Sequence, residues 1–212
     1  MKKTLKLLER IFLLFILGSI LGYIYETILV LFQKGHFECR QGLIYGPFIP
    51  VYGIGGIIYY LFFEKVKIRK LPQVFIVSMI LGGVTEYLCS YVQEIWFGTR
   101  SWDYSYLPFN LNGRTSLLHC SYWGIAGILY IKFILPMIEK MEDKLEMKLV
   151  QNATIVLALF MVFNIAISIL AASRQTKRIN NKEPNNKIEA FLDERYPDER
   201  MDKIFSNKKY VK

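Results

Sequence analysis

Two glutamates, Glu26 and Glu86, stand inside long apolar runs of a 212-residue chain. A charged group at the centre of a membrane helix costs about 2.5–3.5 kcal/mol on insertion scales, so such acids face protein or a wet cavity rather than lipid. A carboxylate in that setting binds a cation, relays a proton or holds a polar group of a substrate. Gly18, Gly22 and Glu26 fall at i, i+4 and i+8, and Ser78, Gly82 and Glu86 repeat the pattern. Each acid therefore lies on a stripe of small residues, where a neighbouring helix can approach closely. Both are expected in the interior of a helical bundle, with Arg40 and Arg100 as candidate counter-charges. The structural alternative is that each glutamate only clamps a neighbouring helix or pairs with a loop arginine.

Further candidates lie in two connections. Gly46, Pro47, Pro50, Tyr52 and Gly53 stand too close together for an unbroken helix. They predict either a re-entrant, unwound stretch whose freed carbonyls could coordinate a ligand, or a plain helix start with proline in its first turn. Trp102, Asp103 and Tyr104, then Asn110 and Arg114, predict an aromatic and polar segment at headgroup level. It could lie as a lid over a site or be an ordinary interfacial loop, with Asp103 capping locally or pairing with Arg100 or Arg114. Lys132 is placed to snorkel to an interface. His36, Cys39, His119 and Cys120 match no zinc spacing and are read as structural, and the three cysteines form no disulfide framework. No phosphate-binding loop, metalloprotease, nucleophile-elbow or CxxC pattern occurs, so no metal, cofactor or catalytic residue is assigned and the evidence for an enzyme is weak.

The elements that must position these residues are membrane helices. Hydrophobic residues make up 53% of the chain and mean hydropathy is +0.26. The last 40 residues hold 11 of the 27 basic and 7 of the 18 acidic side chains. The remainder is too sparsely charged to coat a soluble domain, and this excludes a disordered chain, a disulfide-stapled module and a nucleic-acid binder. Apolar stretches near 11–32, 43–63, 74–96, 116–138 and 150–172 predict an all-α, polytopic membrane protein of about five spans. Residues 1–172 form the transmembrane bundle and 173–212 a charged polar tail, read as a solvated linker with one short amphipathic helix at Ile188, Phe191 and Leu192. The N-terminal flank and the second and fourth connections carry 11 basic residues against 4 in the first and third. The positive-inside rule then puts the N-terminus in the cytoplasm of a cell membrane. Arg174, Lys177, Arg178, Lys182 and Lys187 conflict with this, because five spans leave them outside.

The chain also repeats itself. The segment 20–26 matches 80–86 at an offset of 60, which also pairs Gln33 with Gln93 and Arg40 with Arg100. After an insertion, 52–59 matches 123–130 at an offset of 71. Repeat 1 (about 11–64) and repeat 2 (about 71–138) are thus two copies of a helical hairpin, followed by a fifth helix at about 150–172. Two helices per copy restore the starting side, so the copies should be related by an axis near the membrane normal.

Together, Gly22 and Glu26, the G-P-x-x-P-x-Y-G of Gly46 to Gly53, Glu86, the W-D-Y-S of 102–105, the N-L-N-G-R of 110–114 and Trp123-Gly124 resemble the CmpB-like bacterial ABC-transporter permease family, also called ABC-transporter type IV. The resemblance covers roughly 10–140. That family typically carries arginine directly before the glycine matched here by Gly42; this chain has Gln41, with Arg40 displaced by one. The resemblance implies a permease working with a separate ATPase subunit, and names no substrate. A chain this small implies a homodimer or a partner subunit. The leading expectation is a transport protein in the lipid bilayer, moving a small substrate past the two interior glutamates. The alternatives are a membrane-embedded enzyme or lipid-acting protein, and a non-transporting assembly or regulatory subunit.

Overall fold

The computed structural model describes residues 2–140 and 148–211; Lys144, counted above among the basic flanks, lies outside them. Helix α1 (Lys2–Lys34) is followed by α2 (Pro50–Val66), α3 (Leu71–Phe97), α4 (Leu117–Lys140) and α5 (Lys148–Ile179). Two short helices close the chain, α6 (Lys187–Arg195) and α7 (Asp198–Ile204). Four helices are long and apolar enough to cross a membrane: α1, α3, α4 and α5. Helix α2 has 17 residues, about 25 Å at 1.5 Å per residue, and falls short of the roughly 30 Å hydrocarbon core. It starts seven residues later than its apolar run. Pro50 occupies its first turn and Gly46 has a φ of +79° upstream, so backbone 42–49 stays non-helical.

The other boundaries follow from local chemistry. Lys67 and Gly98 end α2 and α3 in the left-handed region, with φ of 58° and 62°. Ser116 caps α4 by accepting from the His119 amide. Within α4, residues Tyr130–Ile134 form a π turn just before Pro136, which has no N–H to continue the i−4 ladder.

The duplication has matching contacts. Gly22 of α1 lies under the Tyr52 ring of α2, where an added Cβ would sit 2.2 Å from Tyr52 Cδ2. Gly82 of α3 lies under the Trp123 ring of α4, and its Cβ would sit 2.2 Å from Trp123 Cγ. Ser78 packs against Gly127, and Gly18 against the backbone of Tyr52 and Gly53. The copies then meet through equivalent side chains. The Tyr52 and Trp123 rings stack at 5.3 Å, and Tyr59 meets Tyr130 edge-on at 5.8 Å. Residues 71 apart touching each other is what a pseudo-twofold axis between α2 and α4 requires.

The first connection (35–49), the third (98–116) and the tail share one face of the bundle, the loop face. Tail residues touch both connections: Ser206 donates to the Cys39 carbonyl, and β4 (Lys209–Tyr210) pairs antiparallel with β1 (Thr99–Arg100). A second two-stranded pairing, β2 (Asn110–Leu111) with β3 (Thr115–Ser116), folds the third connection on itself. The tail is not a solvated linker. Its Leu192, Tyr196 and Met201 are buried with Ile44 and Ala171. The basic cluster in the last turns of α5 is neutralised on this face. Arg174 makes a two-pronged pair with Asp193 at 2.7 and 2.8 Å, Arg178 binds Asp193 and Asp198, and Lys177 binds Glu189. Three of the five side chains that read as a cytoplasmic signal are instead tail anchors.

Candidate functional site

In the first hairpin the acid is paired. Glu26 accepts from the Tyr52 hydroxyl at 2.7 Å on one oxygen and from Arg40 Nη2 at 3.1 Å on the other. Arg40 also lies 3.6 Å from Glu38. The Lys34 ammonium, bonded to Glu38, holds that carboxyl below its usual range. Arg40 reaches Glu26 because the non-helical segment after Gly35 turns back over the end of α1.

In the second hairpin the acid has no cation among the described residues. Glu86, 7% exposed, accepts from the Tyr104 hydroxyl at 3.0 Å and from Thr115 Oγ1 at 2.7 Å. The Tyr104 ring stacks on His119 at 3.6 Å, and His119 Nδ1 lies 2.8 Å from Ser116 Oγ. Burial, then the Glu86 and Glu26 carboxylates, push the Tyr104 phenol well above its ordinary value, so both acids bear on this one hydroxyl. The repeat arginine does not reach its glutamate. Arg100 binds Glu94, as does Arg114 at 2.8 Å. Arg114, 7% exposed, also lies over the Tyr87 and Tyr91 rings at 5.4 Å each.

The rest of the third connection builds the arm that carries Tyr104. Asp103 accepts from the backbone and side chain of Ser105, which hold its carboxyl below the usual range. Asn110 donates to the Leu107 carbonyl and accepts from the Gly113 amide, and Trp102 Nε1 donates to the Arg114 carbonyl. Gly113 has a φ of +69°, and a Cβ there would sit 2.4 Å from both Asp103 Oδ1 and Ser105 Oγ. Gly113→Ala is therefore expected to cost about 1–3 kcal/mol and to loosen the arm, read as a lower Tm and faster amide exchange at 103–113. The W-D-Y-S and N-x-x-G elements are thus one folded unit, whose Asp103 and Asn110 shape the loop while Tyr104 reaches the acid.

The unwound segment is held by α5. Asn164, fully buried, accepts from the Tyr45 amide at 3.1 Å and donates to the Tyr45 carbonyl at 2.6 Å, and Ser168 Oγ accepts from the Ile44 amide at 2.9 Å. Non-helical backbone at membrane depth requires such partners. Gln41 donates to the Gly46 carbonyl at 2.7 Å and closes the stretch 41–46 ahead of Pro47.

Of the residues singled out in the sequence, the structure brings together Glu26, Arg40 and Tyr52, and separately Glu86 and Tyr104. Arg100 and Arg114 belong to a neighbouring cluster on Glu94. Sequence reasoning missed Thr115, Glu94 and Asn164, and set His119 aside. Thr115 could have been found by carrying the second offset back to Ile44, which places it beside the repeat's own unwound stretch. Among the described residues no group of three histidine, cysteine or acidic side chains could hold a metal ion.

A duplicated helical hairpin and a fifth helix that solvates an unwound segment define a polytopic membrane protein with an internal repeat. The chain belongs to the family described as Putative ABC-transporter type IV, which matches residues 13–169. No protein of curated function and no solved structure matches the chain.

Proposed function

We propose that the chain is the membrane-embedded subunit of an ABC-type transport system in the cell membrane. Its N-terminus lies in the cytoplasm, it is paired with a separate ATPase and a second copy or partner subunit, and a small substrate moves past Glu86. The observation that carries this reading is the asymmetry of the duplicated acids. Glu26 is tied by Arg40 and Tyr52, whereas Glu86 is buried among hydroxyl donors with no counter-charge among the described residues. A buried carboxylate without a cation is costly to keep unless a proton or a cationic group of a substrate visits it. Glu86 is accordingly the working acid and Glu26 the clamp.

The test begins with purification in mild detergent and mass spectrometry of all that stays bound. A co-purifying ATPase supports the reading and provides an assay, the stimulation of ATP hydrolysis. A bound lipid or metabolite without any ATPase overturns it in favour of a stand-alone carrier or lipid-acting protein. Glu86→Gln keeps the volume of the side chain, and both hydroxyls can still bond to it. It is expected to leave the fold intact and to lower stimulated turnover at least about tenfold. Glu26→Gln instead removes the closer of Arg40's two carboxylate partners, leaving Glu38 at 3.6 Å, and is expected to cost about 1–2 kcal/mol of stability, discounted for the partial exposure of the pair.

A further inference from the structure

We infer that the last seven described residues, 205–211, are a strap that keeps the loop face closed over the Glu26 and Glu86 clusters. Each cluster is completed by an arm from a loop-face connection, and the strap is bonded to both arms. On the first, Ser206 donates to the Cys39 carbonyl and to Glu38 at 3.3 Å, and Glu38 abuts Arg40 of the Glu26 pair. On the second, Asn207 donates to the Ser101 carbonyl at 2.9 Å, three residues before Tyr104 of the Glu86 pair. Strand β4 then pairs with β1, and the Val211 amide donates to the Gly98 carbonyl at 2.9 Å. The two arms belong to different copies of the hairpin. Movement of one repeat against the other, the usual route to alternating access, must break or carry this strap. The rest of the tail is anchored on α5 independently of the strap, because the Arg174 and Arg178 pairs to Asp193 and Asp198 hold α6 and α7, whereas the strap's own contact with α5 runs from Lys208 to Gln175. It can therefore let go of the arms while the rest of the tail stays docked. Its bonds to the first arm are solvent-facing, the kind that open locally.

This rests on reading the Glu86 cluster as the site, so the test reads access to that cluster and not transport. Cys120 is the reporter, because its Sγ lies 3.4 Å from Thr115 Oγ1, which donates to Glu86. In a Cys39→Ser, Cys89→Ser background of the full chain in proteoliposomes, Cys120 labelling by a small membrane-impermeant maleimide is followed by peptide mass spectrometry. Two variants bracket the strap. Asn207→Ala with Lys209→Pro removes the Ser101 bond and the β4 ladder while leaving the α5 pairs alone. Thr99→Cys with Tyr210→Cys locks it. Because 98 and 211 form the hydrogen-bonded pair, 99 and 210 are the closer, non-bonded pair, at a separation a disulfide can bridge. The weakened variant is expected to label at least about tenfold faster, since the rate follows the open fraction. The oxidised lock is expected to label more slowly than its reduced form. An unchanged rate in a weakened variant that keeps its Tm overturns the strap. If that variant fails to fold, equal rates for the oxidised and reduced lock overturn it. Loss of the transport reading through an inert Glu86→Gln would leave the outcome of either comparison standing.

Discussion

Replacing Gly82 with alanine is expected to unseat the second hairpin. The new Cβ would fall 2.2 Å from Cγ, 2.3 Å from Cβ and 2.5 Å from Cδ2 of Trp123. These atoms are at the root of a stiff indole and not the far end of a flexible chain, so α3 and α4 must separate. Trp123 has nowhere to retreat. Its other face stacks on Tyr52 across the pseudo-axis, and its backbone carbonyl accepts from the Tyr59 hydroxyl at 2.9 Å. Overpacking of a filled core costs about 1–3 kcal/mol, and the upper end or beyond is expected here because the displaced ring carries the contact between the two copies. Gly22→Ala, under Tyr52 in the first copy, should behave alike. Gly56→Ala is the control, since its Cβ would meet only the Leu14 carbonyl at 3.6 Å. Thermal unfolding in detergent should show a large drop in Tm for the first two and little change for the third. Equal Tm values for all three would mean that the glycine stripe is not where the hairpins close.

The stripe was legible in the sequence because membrane helices announce close approach through small residues four apart, and both copies announce it at the same offset. The interior glutamates were legible for a related reason, since a charge in an apolar run has few places to go. The pairing of Arg100 was not. A 60-residue offset aligns it with Arg40, yet the acid it finds is Glu94, which aligns with Lys34. The two copies have exchanged the sign of that position, and a salt bridge follows local charge rather than ancestry. The unwound entry to α2 was legible in the spacing of Gly46, Pro47, Pro50 and Gly53, but the span's start at 43 was not, because hydropathy cannot distinguish a helix from an unwound segment buried against protein. The tail was misread for the opposite reason. Its composition is that of a solvated chain, but opposite charges spaced over 174–198 fold back on one another, an ordering that no local window registers.

Asn164→Ala is expected to be the most damaging polar substitution, because what it removes is the solvent of another segment. The side chain serves both the amide and the carbonyl of Tyr45, and it is wholly enclosed. Without it two backbone groups are left at membrane depth with no water to take them. An unsatisfied buried group costs about 1–3 kcal/mol, so about 2–6 kcal/mol is at stake. Ser168→Ala removes one such bond, to the Ile44 amide, and should cost about half as much. The loss would not stay local. Tyr45 also meets Tyr196 of the tail at 2.8 Å, and the same unwound stretch sets Arg40 over Glu26 at one end and Tyr52 at the other. Faster amide exchange at 43–48 together with a lower Tm, graded from Ser168→Ala to Asn164→Ala, is the expected record. A drop in Tm with protected amides at 43–48 would place the damage in the packing of α5 alone. The graded result would instead mean that the fifth helix exists to make a broken helix tolerable in the membrane, which is the condition for holding an arginine and a tyrosine against an interior acid.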